Sequence, residues 1–510
     1  MTKKRHLLSP LNILLLLILV VSIFLRFYNL KDSLMFQGDQ GRDALVVANI
    51  FKNHDPVFIG PVTSIGNMYL GPFYYYFMLP FLRLTYPSPM GPVYAVAAVG
   101  VLTVILFYFL MRKIFDRHSV LLATIFLALS HTAVNLSRFS WNPNLAPFFS
   151  LLMFYFTYLA WKKDERYWLL VSAMFSVLIQ LHYVTLLAGL GSGLIYLISL
   201  KEKIKAKQTK PIFSNGLLAL LIFILSLTPL ILFDIKHQGV NLTALGNIFT
   251  KENSFDLQSQ TSNIFSVLSQ LITHELPNKA TQVIWQSSFG DLSINRCFFC
   301  LSGIIVLAYL LKKKPKLKDG EVLLFSYLGT GLLGLSLYQH PVYTHYFAYL
   351  LPMVYLFYAW LFKQIKAKWL LYPLLVSFLG FYIWQNQQLY NLADSGWTID
   401  HMQEVTNSIY QRTADDQPYN IVLLSESKDL YGMNYRYFLS TTDHPPLTME
   451  NHHQAEQLFI IDEQRQGLAA VDLPIYELVV FEPKNIVDHY QFDPGPEITV
   501  LAKSETPYND

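Results

Sequence analysis

Long apolar runs separated by short polar breaks set the pattern of this chain. Eleven runs fall near residues 11–26, 92–111, 119–136, 145–161, 167–182, 183–200, 212–233, 298–311, 321–338, 346–362 and 369–385. A helix needs roughly 20 apolar residues to cross the hydrocarbon of a bilayer, and most of these runs approach that length. They predict a mainly α, polytopic membrane protein with about eleven transmembrane helices. After Trp384 the pattern changes. Residues 390–510 are polar, and the short β-like runs Asn420–Leu424, Leu458–Asp462 and Glu477–Phe481 alternate with helical stretches near 400–412 and 428–439. That is the period of a small α/β domain. The chain is expected to divide into a transmembrane domain, 1–389, and an α/β domain, 390–510.

The breaks are of two kinds. If the N-terminus is inside, the inner segments are 1–10, 112–118, 162–166, 201–211, 312–320 and 363–368, and they hold 22 of the 38 Lys and Arg residues. Cytoplasmic loops collect these residues. The expected orientation therefore puts the first loop (27–91), the large loop (234–297) and the α/β domain outside. Residues 69–84, YLGPFYYYFMLPFLRL, resemble another crossing but contain Gly71, Pro72, Pro80 and many tyrosines. Interfacial tyrosine favours a helix lying at the membrane surface, and a crossing here would flip every later lysine cluster to the outside.

Composition agrees. Only 14% of residues are charged and 53% are hydrophobic, against about 25% charged in a typical soluble domain. The net charge of +3 and the lack of a basic arm argue against nucleic acid. The first apolar run follows Lys3, Lys4 and Arg5 without a small-residue cleavage site after it, so it is expected to be a retained helix. The span interiors hold essentially no ionisable residues, whereas an ion-coupled transporter keeps such groups at mid-membrane. Cys297 and Cys300 fit two small apolar residues at a helix start, with a strained disulfide left open. Without a second pair they do not complete a zinc site.

The chemically suggestive residues gather opposite the lysines. QGDQGRD (37–43) places Asp39 and Asp43 on either side of Arg42. A carboxylate can take a proton from a hydroxyl, and a guanidinium can hold a phosphate oxygen. The same residues also fit a solvated turn capping a helix Ala44–Phe51, with Asp43 at its start. SRFSWNPN (137–144) carries Arg138, Trp141, Asn142 and Asn144, either as an interfacial anchor or as a holder of an anionic headgroup. QLHY ends in His182 and Tyr183, which suit an interface hydrogen bond or a ligand contact. In FDIKH, Asp234 and His237 lie one helical turn apart and fit either a shared site or a helix C-cap. HPVYTH places His340, Tyr343 and His345 at the start of a span.

A hydrophobic first helix, an acidic outer loop, the GP-x-YYY stretch, an RK-x-F turn and a span ending in SR together resemble a known family. They are similar to membrane glycosyltransferases of the GT-C fold, closest to glycosyltransferase family 39, with its protein O-mannosyltransferases and the aminoarabinose transferase of lipid A. The resemblance is best over the first 240 residues or so. It implies a polyprenyl-phosphate sugar donor and inverting transfer to a lipid, glycan or protein acceptor on the outer side of the cytoplasmic membrane of a prokaryote. Asp39 stands where the family has the first acid of an Asp-Glu pair, but Gln40 replaces the second. Where relatives often carry another Asp after SR, this chain has Asn142 and Asn144, and Asp43 or Asp234 are the substitutes at hand. The expected catalytic residues are Asp39 and Asp43. The expected donor-binding residues are Arg42, Arg138, Asn142, Asn144, His182, Tyr183, Asp234, His237 and His345. No cofactor is required, and a divalent metal is left open. The competing readings are a transporter or flippase for a lipid-linked sugar, and a non-catalytic lipid- or sugar-binding membrane protein.

Overall fold

The computed structural model describes residues 9–63, 68–250, 303–305, 308–309, 316–337, 342–387, 389–413, 417–426, 429–482 and 484–503. The chain divides into two compact units, one built from 1–28, 57–74 and 94–390, the other from 29–56, 75–93 and 391–510.

The first unit is a helical membrane bundle. Pro10–Phe27, Met90–Met111, Asn142–Lys162, Tyr183–Lys205, Thr209–Ser226 and Thr344–Gln364 are long and apolar enough to cross a bilayer, and Arg117–Leu129, Tyr167–Leu181 and Lys368–Trp384 are shorter apolar helices. A further helix, Asp319–Ser336, lies where the span 321–338 was expected. The span 298–311, the Cys297–Cys300 pair, His340 and most of the 234–297 loop lie largely or wholly outside the described residues.

Burial separates spans that look alike in sequence. Thr344–Gln364 is 94% buried, whereas Thr209–Ser226 is only 6% buried and leaves Leu217 and Leu225 bare. Lipid tails are as apolar as leucine, so bare leucines on an outer helix carry no penalty in a bilayer. Between the inner helices, small and hydroxylic residues permit close approach. The hydroxyls of Thr157 and Ser192 meet at 2.8 Å, Thr330 donates to Leu187 O at 3.0 Å, and Gly331 leaves room for Leu350.

A buried arginine ties helix ends. Arg26, only 1% exposed, donates to Ser22 Oγ at 2.8 Å and to Ala128 O at 3.2 Å. It therefore satisfies a carbonyl at the C-terminus of Arg117–Leu129, where a cation is favoured. The expected span 119–136 is broken here: the helix stops at Leu129, and Ser130 caps a new one, His131–Leu136, by accepting from Ala133 N at 2.9 Å.

The lysine-rich breaks of this unit meet at one end of the bundle. Arg117 donates to Asn12 at 2.9 Å, Lys363 pairs with Asp116 at 2.5 Å, Lys162 pairs with Asp319 at 3.0 Å, and Lys203 pairs with Glu165. Gly320 packs against Ile114 and Phe115, which joins the two groups of pairs.

The second unit holds the motif helix Gly38–Lys52, the interfacial helix Phe73–Thr85 from Tyr75 onward, and the α/β tail. Thirteen residues in Phe73–Thr85 make a helix of about 20 Å, too short for a hydrocarbon core of about 30 Å. The tail has a four-stranded mixed sheet in the order β1-β2-β4-β3. β1 (Tyr419–Leu424) and β2 (Gln457–Asp462) are parallel, and β4 (Glu497–Lys503) is antiparallel to both β2 and β3 (Lys484–Gln491). β1 and β2 match the expected strands, and the helix Ile399–Arg412 matches the expected one. The expected helix 428–439 is shorter, Met433–Leu439, because Gly432 takes a positive φ of 58° just before it.

One strand expectation fails. Residues 477–481 are not a strand, because Tyr476–Val479 is a single helical turn. Leu478 and Phe481 are buried in the sheet core while Val479 is 58% exposed, a spacing of three rather than two. A short apolar run does not distinguish these periods by itself. The strand that does form, β3, is a mostly exposed edge with a bulge between Ile486 and Asp488, so its sequence lacks clean alternation.

Candidate active site

The motif helix starts at Gly38, so Asp43 lies within its second turn and not at the start of a helix Ala44–Phe51. That corrects the reading of 37–43 as a solvated capping turn. Three-residue spacing puts Asp39 and Arg42 on one face. Arg42 Nη1 donates to Asp39 Oδ1 at 2.8 Å, while Nε and Nη2 donate to Asp43 Oδ1 at 3.0 and 2.8 Å. The two acids differ sharply: the Asp39 side chain is 50% exposed and that of Asp43 is 0% exposed.

Burial raises the Asp43 carboxyl to about 6, although Arg42 pulls the other way. For Arg42, burial opposes the charge, but Asp43 and then Asp39 outweigh it and hold the guanidinium ionised above its usual range. Tyr75 shares this environment. Its hydroxyl is buried, and burial and then Asp43 push it well above its ordinary value. Sequence reasoning passed over Tyr75, whose only signal was its place in the YYY run of an interfacial helix. Gln40 turns inward and donates to Met35 O at 2.9 Å.

The other candidates belong to the helical unit, at the end of the bundle opposite the lysines. Arg138 is buried and donates to Leu25 O at 2.8 Å and Tyr28 O at 2.9 Å, which ties the C-terminal end of the first helix. Burial lowers its guanidinium to about 10. Asn142 donates to Leu181 O at 2.6 Å, and Asn144 donates to Phe139 O at 2.9 Å. His182 Nδ1 accepts from Val184 N at 3.2 Å, so in the neutral ring the proton sits on Nε2. The His182 ring lies 5.4 Å from His345 and 5.0 Å from Tyr346, and His345 also meets Trp141 at 4.6 Å. Three sequence-distant segments thus form one aromatic cluster.

Tyr183 donates to Tyr69 O at 2.5 Å. Asp234 accepts from Asn241 N at 2.6 Å and caps the helix Val240–Thr250, while Asn241 Oδ1 accepts from Tyr69 N at 2.7 Å. His237 is the C-cap of Thr228–Lys236, with Nδ1 on Phe233 O at 2.8 Å. Asp234 and His237 each serve a separate helix end. The Tyr69 strand segment, which bridges to Val62, gave no alternating signal in the sequence.

The comparisons agree with this architecture. Over its full length the chain is similar in structure to ArnT from Cupriavidus metallidurans, solved bound to undecaprenyl phosphate: TM-score 0.58, 10% identity, covering 96% of this chain and 97% of that one. The apo state of the same protein gives 0.59 at 12% identity, covering 97% and 98%. The chain has the GT-C fold. A further GT-C structure, the Archaeoglobus fulgidus oligosaccharyltransferase tethered with an acceptor peptide, gives a TM-score of 0.50 at 11% identity, covering 99% of this chain and 75% of that one. Residues 70–228 match the family model of dolichyl-phosphate-mannose-protein mannosyltransferases. No curated protein matches the sequence at a significant level. Among the described residues of the first loop, Asp39, Arg42 and Asp43 form one ion-paired group.

Proposed function

We propose that this protein is an inverting glycosyltransferase that moves a hexose or pentose from a polyprenyl-phosphate donor to a lipid, glycan or protein acceptor on the outer side of a prokaryotic cytoplasmic membrane. The observation that carries the reading is the guanidinium of Arg42 held between a half-exposed acid, Asp39, and a buried one, Asp43. The fold it shares with a protein solved with undecaprenyl phosphate supports the donor class, as does the match to a dolichyl-phosphate-mannose family.

The residues divide the work as follows. Asp39, open to solvent and not buried, takes the proton of the acceptor hydroxyl. The acceptor oxygen forms its bond to sugar C1 from the side opposite the phosphate. The C1–O bond breaks, and the polyprenyl phosphate leaves with the electron pair. Arg42 keeps N–H groups beyond those used by its carboxylates, and these stabilise charge on the departing phosphate. Asp43 fixes the Arg42 fork through two bonds to one oxygen. Arg138, whose fork is held on the carbonyls of Leu25 and Tyr28, contributes its positive charge. His182, Tyr183, His345, Asn142 and Asn144 are assigned to the donor sugar and phosphate, and Asp234 and His237 to the helix ends they cap. A divalent ion does not fit the acidic motif: Arg42 already occupies an oxygen of each carboxylate, and where the family has its second acid this chain has Gln40, whose amide is turned to Met35 O.

The test is sugar transfer by the purified protein in detergent, where no compartment exists, with the product read by mass spectrometry. Asp39→Asn should lower transfer by roughly 100-fold or more while undecaprenyl phosphate still binds. Full activity in Asp39→Asn removes it from the base role. Binding of the lipid-linked sugar without any transfer by the wild type favours a flippase.

A further inference from the structure

We infer that the α/β tail is the positioning frame of the acidic motif, with Asn434 and Asp429 as positioning residues and Gly41 as the gap that admits them. This rests on the catalytic reading of Asp39, Arg42 and Asp43 given above. All the residues involved lie in one compact unit.

The contact is between backbones. A Cβ built on Gly41 would stand 2.3 Å from Met433 O and 2.6 Å from Asn434 Cα, and one on Gly38 would stand 2.1 Å from Asp429 Oδ2. Any side chain at Gly41 forces the helices apart, whereas one at Gly38 displaces the Asp429 carboxylate. Glycine at position 41 is thus required by the partner helix and not by the local turn. Asn434, buried, donates to Phe36 O at 3.3 Å, just ahead of the motif helix, and the Phe36 ring packs on Tyr437 and Phe438. Asp429 accepts from Tyr431 N and Met433 N, and so brings a carboxylate to the start of both helices, where negative charge is favoured. The frame is anchored in turn: Arg436 reaches Asn420 Oδ1 on β1 at 2.7 Å and Leu447 O at 2.7 Å. A path of direct contacts therefore runs from β1 through Met433–Leu439 to Gly41, one residue before Arg42. A misplacement of about 1 Å at a reacting group costs on the order of 100-fold in rate.

The experiment uses the full chain with Gly41→Ala, Asn434→Ala and Asn434→Asp; the last keeps size but replaces the donor to Phe36 O with an acceptor. Two readouts are taken: sugar transfer with its pH profile, and amide hydrogen exchange across 38–52 and across β1. The expected result is a fall in kcat of about 100-fold with little change in the donor KM, a displaced acid limb, and faster exchange in 38–52 with β1 unchanged. Folded variants with wild-type kcat and pH profile overturn the inference, as does unchanged exchange in 38–52. Faster exchange without loss of kcat also overturns it. If the wild type transfers no sugar, the enzyme reading fails by itself, and exchange in the variants still decides whether the tail positions the helix. If Gly41→Ala does not fold, Asn434→Asp carries the test.

Discussion

At the residue scale, the decisive contrast is between two carboxylates on one helix. Asp39 faces water; Asp43 is sealed in and titrates near 6 rather than at its usual 3.8. The sign of the resulting pH dependence follows. A carboxyl whose folded value is raised favours the fold when protonated, so its contribution is full below about 4 and is lost as the pH rises through about 6. The loss is worth roughly 3 kcal/mol as an upper figure. Asp43→Asn should flatten this part of the stability curve, and thermal unfolding in detergent from pH 4 to 7 measures it. A curve as steep as the wild type's would assign the slope to another group. Arg42→Met strands the buried acid without its partner. It should cost about 3–5 kcal/mol where Asp43 is ionised, and less when combined with Asp43→Asn, so a double-mutant cycle should show strong coupling. Additive effects would mean that the pair does not interact as the geometry indicates.

At the element scale, arginines hold the ends of broken helices. Arg138 has a fork on Leu25 O and Tyr28 O, and lysine has no such fork. Arg138→Lys should destabilise the protein by about 1.5–3 kcal/mol, seen as a lower unfolding temperature, while the retained charge keeps the donor KM close to that of the wild type. A large rise in KM without loss of stability would point to direct phosphate contact. These elements also show what the sequence could and could not disclose. Apolar length and lysine placement made the bundle legible, because both follow from the bilayer and need no knowledge of packing. The acidic motif was legible as residues but not as a helix: it also fitted a solvated turn, whereas its Gly41 makes room for a partner helix some 390 positions away in sequence. Tyr75 was invisible because its role depends on burial beside Asp43. Leu478 and Phe481 misled because the four apolar residues 478–481 fit either period until the sheet beneath them is known.

At the scale of the whole molecule, the remaining question is which way the bundle faces. Within the helical unit, the ion pairs of Lys363, Lys162 and Lys203 gather at one end, and Arg138, His182 and Asp234 lie at the other. Cytoplasmic loops collect Lys and Arg, so the lysine end is expected inside. Cell-impermeant thiol labelling of intact spheroplasts tests this, in a background with Cys297 and Cys300 replaced by serine. A cysteine at Asp472, in the α/β tail, should label from outside, and one at Lys366 should label only after permeabilisation. Lys366 sits between Leu351–Gln364 and Lys368–Asn386, so its side follows from the lysine pattern alone. The reverse result would place the acidic motif facing the cytoplasm, where a soluble nucleotide sugar becomes as natural a donor as a lipid-linked one. Both positions labelling from the same side would require an odd number of crossings to be added or lost between them, and Lys368–Asn386 would then not be a span. The two sites thus test the orientation and the last crossing independently of any enzymatic assay.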